Sequence, residues 1–210
     1  MGYIEDLKRK HLLQTFPQAG VGHLEIKPED SGYFEHYDKL QDTSEGVALH
    51  RFRVEMVYKY TDKRTLDIGI GCGQFVNTHG NCSGYDIDKK SIAWLKDRGA
   101  FFDPYSETLD LFGAMTFWDS MEHISDPEHL LKRIGSQFVF VSMPIYSDTD
   151  SIVGHKHFKP SEHCWYFTEP GFVQFMKWNG FELLEVSDME TQLGRIDIKT
   201  FVLRRIRPIL

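Results

Sequence analysis

Residues 65–74 read TLDIGIGCGQ, and few backbone geometries accommodate that stretch. An apolar run carrying one acid, Leu66-Asp67-Ile68, enters a loop that holds Gly69, Gly71 and Gly73. A parallel strand that ends in a glycine-rich turn and opens a helix has this pattern. The glycines let the backbone turn sharply and let a ligand approach where a Cβ would stand in the way. A helix starting near Gln74 aims its free N–H groups at that ligand. Further on, Gly84-Tyr85-Asp86-Ile87-Asp88 reads as the end of a second strand with acids at its tip. An acid in that position can take two hydroxyls of a ribose.

The spacing separates nucleotide ligands from one another. The nicotinamide fingerprint is G-x-G-x-x-G, whereas this loop runs G-x-G-x-G and continues with Gln74. Asp67 would also repel a pyrophosphate, and it suits a ligand with an amino group. A nucleotide-cofactor oxidoreductase is therefore disfavoured. Together these residues resemble the first two motifs of class I S-adenosylmethionine methyltransferases. In that family the loop holds the amino-acid end of the cofactor, and the acid after the second strand holds its ribose. The resemblance implies S-adenosyl-L-methionine as cofactor and S-adenosyl-L-homocysteine as product. It implies a cofactor site built from Asp67, Gly69, Gly71, Cys72, Gly73, Asp86 and Ile87.

The chain has 210 residues and a formal net charge of −7. That length suits one α/β domain (residues 45–210) preceded by an extension (residues 1–44). The acidic balance disfavours nucleic acid and anionic membrane as partners, because both need a basic surface. Three irregularly spaced cysteines, Cys72, Cys82 and Cys164, make no disulfide framework. They read as reduced thiols in a cytoplasmic protein. The first residues scatter their charges and do not look like a signal peptide, and no apolar run nears the ~20 residues of a membrane span.

In the extension, Ile4, Leu7, His11 and Leu12 recur at helical spacing. Residues 17–32 look loop-like, with Pro17, Gly20, Gly22 and Pro28. Tyr33, Phe34 and Tyr37 either pack onto the domain or belong to a lid over the substrate. Residues 44–60 read as a helix with Ser44 as N-cap and Val47, Phe52, Met56 and Val57 on its buried face. Strands are predicted over 65–68, 83–87, 100–102, 111–117, 138–143, 181–186 and 196–204, with Pro144 stopping the fifth. Helices fall between them, and a polar turn near Gly194 allows the last two strands to pair antiparallel. Alternation of strands and helices predicts an α/β fold with helices on both faces of a mostly parallel sheet. The resemblance completes it as a Rossmann-like, seven-stranded sheet with one antiparallel strand.

Residues 117–127 read FWDSMEHISDP and follow the fourth strand, on the ligand-binding edge of such a sheet. They resemble the EH-x-x-DP segment of small-molecule methyltransferases related to the ubiquinone-biosynthesis type. The resemblance places Trp118 and Asp119 beside the cofactor and Glu122 and His123 on the next turn. His123 is a candidate general base, or else a residue that bonds the turn and holds the helix start; Asp119 is the second catalytic candidate. Asp103, at the end of the third strand, either reaches the adenine or forms a turn with Pro104.

His155, His157, Glu162, His163 and Cys164 crowd one segment. Their spacings match no standard zinc pattern, so no metal is expected from them. The resemblance instead makes this segment, which runs into Tyr166-Phe167-Thr168, part of the acceptor pocket. His157, His163 and Trp165 are its substrate-facing candidates, and a loop anchored by buried aromatics is the other reading. The nucleic-acid methyltransferase signatures are missing: no Asp/Asn-Pro-Pro-aromatic tetrapeptide follows the fourth strand, and no Pro-Cys pair occurs. The expected function is methyl transfer to a small molecule or sugar, at a hydroxyl oxygen. A catalytically silent subunit that binds the cofactor or its product is the alternative.

Overall fold

The computed structural model describes residues 13–26, 43–106, 112–133 and 135–206. Two expectations, the N-terminal helix and the aromatics at 33–37, lie outside them. In chain order the elements are β1 (Leu13–Phe16), β2 (Val21–Leu24), α1 (Ser44–Tyr58), β3 (Thr65–Ile68) and α2 (Gln74–His79). Then come β4 (Cys82–Tyr85), α3 (Lys89–Asp97), β5 (Ala114–Trp118), a single 3-10 turn (Met121–His123) and α4 (Pro127–Arg133). The chain continues with β6 (Phe138–Tyr146), β7 (Trp165–Thr168), α5 (Glu169–Trp178), β8 (Phe181–Ser187), α6 (Met189–Gln192) and β9 (Ile198–Arg205).

Strands β4, β3, β5 and β6 run parallel in that spatial order. On the other edge of β6 lies β9, antiparallel both to it and to β8. Each central strand is apolar on both sides. From β5, Met115 and Phe117 join α4 and α5 in one core, while Ala114 and Trp118 join α1 and α2 in the other. Helices on both faces are thus required by burial, as in any sheet of parallel strands. In the larger core Phe172 packs edge-on against Phe201, 4.7 Å between centroids; burying each ring contributes roughly 1.5–3 kcal/mol. Among the described residues no helix is long and apolar enough to cross a membrane.

Among the described residues the sheet has nine strands rather than the expected seven. The expected third strand shrinks to one parallel bridge, Gly84 to Phe101. Three strands are added: the last two residues of β6 pair with β7, which pairs with β2, which pairs with β1. Residues 13–24 thus form a hairpin, although the loop expected over 17–32 covers its turn and second strand. Its strands are four residues each, too short for alternation to show. Its turn is held by Ala19 and Gly20 N–H groups donating to the Phe16 and Pro17 carbonyls. Gly20 has φ +66°, and a Cβ there would run into Thr168.

Pro144 does not stop β6. It pairs with Ile198 of β9, and the neighbouring Ile145 N–H donates toward that side, to Asp197. The missing N–H of Pro144 therefore faces the opposite edge, where β5 has already made its last pairing, Trp118 with Ser142. The cap of α1 is Thr43, which accepts from the Gly46 N–H at 3.0 Å, rather than Ser44. On the same helix Val47 is 53% exposed, while Arg53 is buried beside Met56 and Val57.

Candidate functional site

The glycine loop lies between β3 and α2, with left-handed backbone at Gly69 (φ +77°), Gly71 (+56°) and Gly73 (+82°). A Cβ on Gly69 would meet Ser120, and one on Gly73 would lie 2.6 Å from the Trp94 ring. Ser120 Oγ donates to the Ile68 carbonyl, and Ser91 Oγ to the Gly71 carbonyl at 2.8 Å. The loop is thus tied to the tip of β5 and to α3. Neither serine was singled out from the sequence, although Ser120 sits inside the FWDSM stretch.

Asp86 lies one residue beyond β4. Its carboxylate accepts from the Gly71 N–H at 3.2 Å and from the Asp88 N–H at 2.9 Å, and burial raises its pKa. Asp88 in turn caps α3 through Lys90 and Ser91. Ile87 is 58% exposed beside Asp86, and Cys72 is buried in the loop. Asp67 is 1% exposed; its carboxylate accepts from Thr116 Oγ1 at 2.6 Å. No ion pair reaches it among the described residues. Burial pushes its pKa up to about 7, against the opposing Thr116 hydrogen bond. Asp103 accepts from the Tyr105 N–H at 2.9 Å, as a turn-former does.

Beyond β5 lies a buried ionic network that local sequence pattern does not announce. Arg53 donates to both carboxylate oxygens of Glu190, Nε at 2.9 Å and Nη2 at 3.0 Å. Its Nη2 also reaches Asp119 at 2.9 Å, and its guanidinium lies 5.0 Å from the Trp118 ring centre. Arg195 pairs with Asp119 at 2.8 Å and with Glu190. Two guanidinium groups face two carboxylates, and Ser142 and Thr200 complete the hydrogen bonding. Burial alone would raise the Asp119 pKa, but Arg195 and Arg53 hold it well below the usual carboxylate range. Asp119, a catalytic candidate from the sequence, sits with φ +56° as a strut between two cations. It has little capacity to accept a proton. Trp118 packs its ring on Phe75 and Phe140, inside the α1–α2 core.

Three residues past Asp119 the chain makes the 3-10 turn that carries Glu122 and His123. The Cys164 N–H donates to the Glu122 carbonyl at 2.7 Å, which brings His163 alongside. The His123 and His163 rings meet edge-on, 4.6 Å between centroids. His163 is 4% exposed; burial, then His123 and Lys159, lower its pKa to about 3. His123 is lowered as well, mainly by burial, against the opposing charge of Glu162. Glu122 is 2% exposed with Oε2 unpartnered, and burial and Asp119 push its pKa up. Trp165 lies close by, its Nε1 donating to the Ile124 carbonyl at 3.0 Å and its ring 4.3 Å from His23 of β2. His157 falls elsewhere: its Nε2 lies 2.9 Å from the Ile196 carbonyl near β9. The structure therefore joins His123, His163 and Trp165, adds Glu122, and sets His157 apart.

The family model described as "Methyltransferase domain" matches residues 43–186. An uncharacterized protein of Methanocaldococcus jannaschii is 24% identical over 180 residues, 80% of each chain. The magnesium protoporphyrin IX methyltransferase of Synechocystis PCC 6803, solved with S-adenosylhomocysteine, superposes with a TM-score of 0.59. It shares 13% identity over 84% of this chain and 95% of that one. The Burkholderia thailandensis 1,6-didemethyltoxoflavin-N1-methyltransferase, solved with 1,6-didemethyltoxoflavin and S-adenosylhomocysteine, reaches 0.60. Its identity is 10% over 92% of this chain and 99% of that one. At such identities the likeness is one of fold, and the two acceptors named differ. These matches carry the superfamily but not the narrower ubiquinone-biosynthesis resemblance.

The residues fit the cofactor that such a domain takes. Asp67 is a buried acid with no ion pair among the described residues, the loop is held in left-handed backbone by three glycines, and Asp86 is anchored by backbone N–H groups beside an exposed apolar residue. With the match running from the cap of α1 to β8, the protein belongs to the methyltransferase-domain family, and its methyl donor is S-adenosylmethionine.

Proposed function

We propose that the chain methylates a small molecule or sugar at a hydroxyl oxygen, held at the Glu122–His123–His163 cluster. The observation that carries this is the buried Glu122 Oε2, a hydrogen-bond acceptor without a donor, at the tip of β5. Ser120, two residues earlier, packs on Gly69, so the cluster borders the cofactor loop. A hydroxyl supplies the missing donor, and two imidazoles beside it offer nitrogen partners.

S-adenosylmethionine supplies an electrophilic methyl group on a sulfonium. The chain's task is then alignment, which contributes up to roughly 7–11 kcal/mol when two reactants are held in a productive geometry. In this reading Asp67 faces the cofactor's amino group, Asp86 takes the ribose hydroxyls, and the Gly71 and Asp88 N–H groups fix the Asp86 carboxylate. His123, His163 and Trp165 hold the acceptor, with His123 nearest the transferred methyl. Asp119 positions the turn rather than moving a proton. The described hairpin of the extension, residues 13–24, borders the acceptor side in this reading; His23 against Trp165 supports that placement.

The test is transfer of isotopically labelled methyl from S-adenosylmethionine to matched panels of phenols, sugars, amines and nucleic acids, read by mass spectrometry. Transfer to hydroxyls, lost in Asp86→Ala, is expected. Transfer confined to amines or nucleic acid overturns the reading. Tight S-adenosylhomocysteine binding without any transfer favours a silent subunit instead.

A further inference from the structure

Glu122, His123 and His163 each offer one ligand atom, and these atoms lie within 4.8 Å of one another. Bonds of ~2.1 Å to a common ion place ligand atoms roughly 3–3.5 Å apart, a gap that side-chain rotation closes. One further observation points to an ion: the Glu122 carboxylate is buried with Oε2 unpartnered, and no side-chain cation pairs with it among the described residues. The Cys164 N–H and Sγ bond to the carbonyls of Glu122 and His123, so the two segments that carry the ligands are already locked together. Lys159, a basic side chain whose charge lowers the pKa of both histidines, is paired with Glu162.

We propose that Glu122, His123 and His163 bind a divalent first-row transition ion and leave a coordination position open for the acceptor's hydroxyl oxygen. Two imidazoles and one carboxylate suit Zn2+, Mn2+ or Fe2+ better than Mg2+ or Ca2+, which prefer all-oxygen sets. Three protein ligands with a free position is the arrangement of catalytic rather than structural ions. The substrate half of this inference rests on the hydroxyl reading above; the ion half does not. On the ion the hydroxyl gives its proton to solvent, and the C–O bond forms as the methyl–sulfur bond breaks, its electron pair staying on sulfur. The histidine-rich segment alone shows no zinc spacing because two of the three ligands come from the turn after β5.

The experiment uses the full chain, stripped with EDTA and titrated with ZnCl2 and MnCl2 by calorimetry. One saturable equivalent is expected. Glu122→Gln and His163→Ala each should weaken it by more than ~100-fold, beyond the loss of a merely supporting contact. Unchanged S-adenosylhomocysteine binding shows that the variants fold; should either fail, the visible spectrum of the Co2+ form of the unmodified chain reports nitrogen and oxygen ligation directly. Failure of the full chain to bind either ion, or equal binding by both variants, overturns the site. Stoichiometric Zn2+ binding without methylation of any hydroxyl overturns the hydroxyl reading and leaves the ion site standing. Methylation of hydroxyls that survives EDTA, with no Zn2+ bound, does the reverse.

Discussion

Asp119 and Glu122 are acids three residues apart beyond the same strand, the first half-buried and the second buried, and they are treated in opposite ways. Asp119 is ringed by Arg53 and Arg195, each of which also holds Glu190. Glu122 has histidines for neighbours and an oxygen without a partner. A buried charge is tolerable only when it is paired, and an acid left unpaired keeps its proton. The first cluster is thus complete within the fold; the second, on the proposed reading, is completed by what binds there. The cofactor side shows the same division, since Asp67 is as buried as Glu190 and has a hydroxyl rather than a cation.

The sharpest way to break this contrast is to remove the shared cation. Arg53→Met leaves Glu190 and Asp119 short of a partner and should cost about 3–5 kcal/mol of stability in urea unfolding. A loss below 1 kcal/mol would mean that the network is no strut. Asp67 should behave in the opposite sense. Its folded pKa, about 7, lies above the ordinary aspartate value of 3.8. Its contribution is therefore complete at low pH and is lost as pH rises from about 4 through 7. The cofactor-free chain should lose up to about 4 kcal/mol across that window, and Asp67→Asn should flatten the profile. If the cofactor's ammonium meets Asp67, binding near pH 7 releases roughly half a proton, read from calorimetry in buffers of different ionisation enthalpy; a zero slope removes Asp67 from the cofactor site.

Asp86→Asn keeps the size of the side chain and removes its charge. S-adenosylhomocysteine should bind about 10–100-fold more weakly, with stability little changed. Gly73→Ala forces a Cβ toward Trp94 at a left-handed position, and about 1–3 kcal/mol should be lost. The smallest effect should come from Glu122→Gln in ion-free protein, within about 1 kcal/mol of the parent because no pairing is broken. A loss as large as that of Arg53→Met would dissolve the distinction between the two clusters.

The cofactor loop was legible from the sequence because its constraints are local. Three glycines at odd positions and acids at two strand tips follow from backbone geometry alone. The network was not legible. Arg53 sits in RFRVEM between apolar residues read as a buried face, with no local signal that it is buried with them, and its partner Glu190 lies 137 positions away. Glu122 and His123 were visible as a motif, but their approach to His163 depends on how a long loop returns. The hairpin of β1 and β2 escaped notice because its pairing partner is β7. Pro144 misled because its ring removes a donor on only one edge of the strand.

Gly20 accepts hydrogen bonds from both the N–H and the hydroxyl of Thr168, 148 positions further along the chain. As the chain leaves the ribosome, the first hairpin emerges early and must wait for most of the sequence before its docking strand exists. The parallel centre can gather meanwhile, and the wall beside His163 and Trp165 is closed among the last events. On the proposed reading, the wall that faces the acceptor is therefore finished later than the loop that faces the cofactor. Nascent chains of increasing length should gain S-adenosylhomocysteine binding before the 13–24 hairpin becomes resistant to protease.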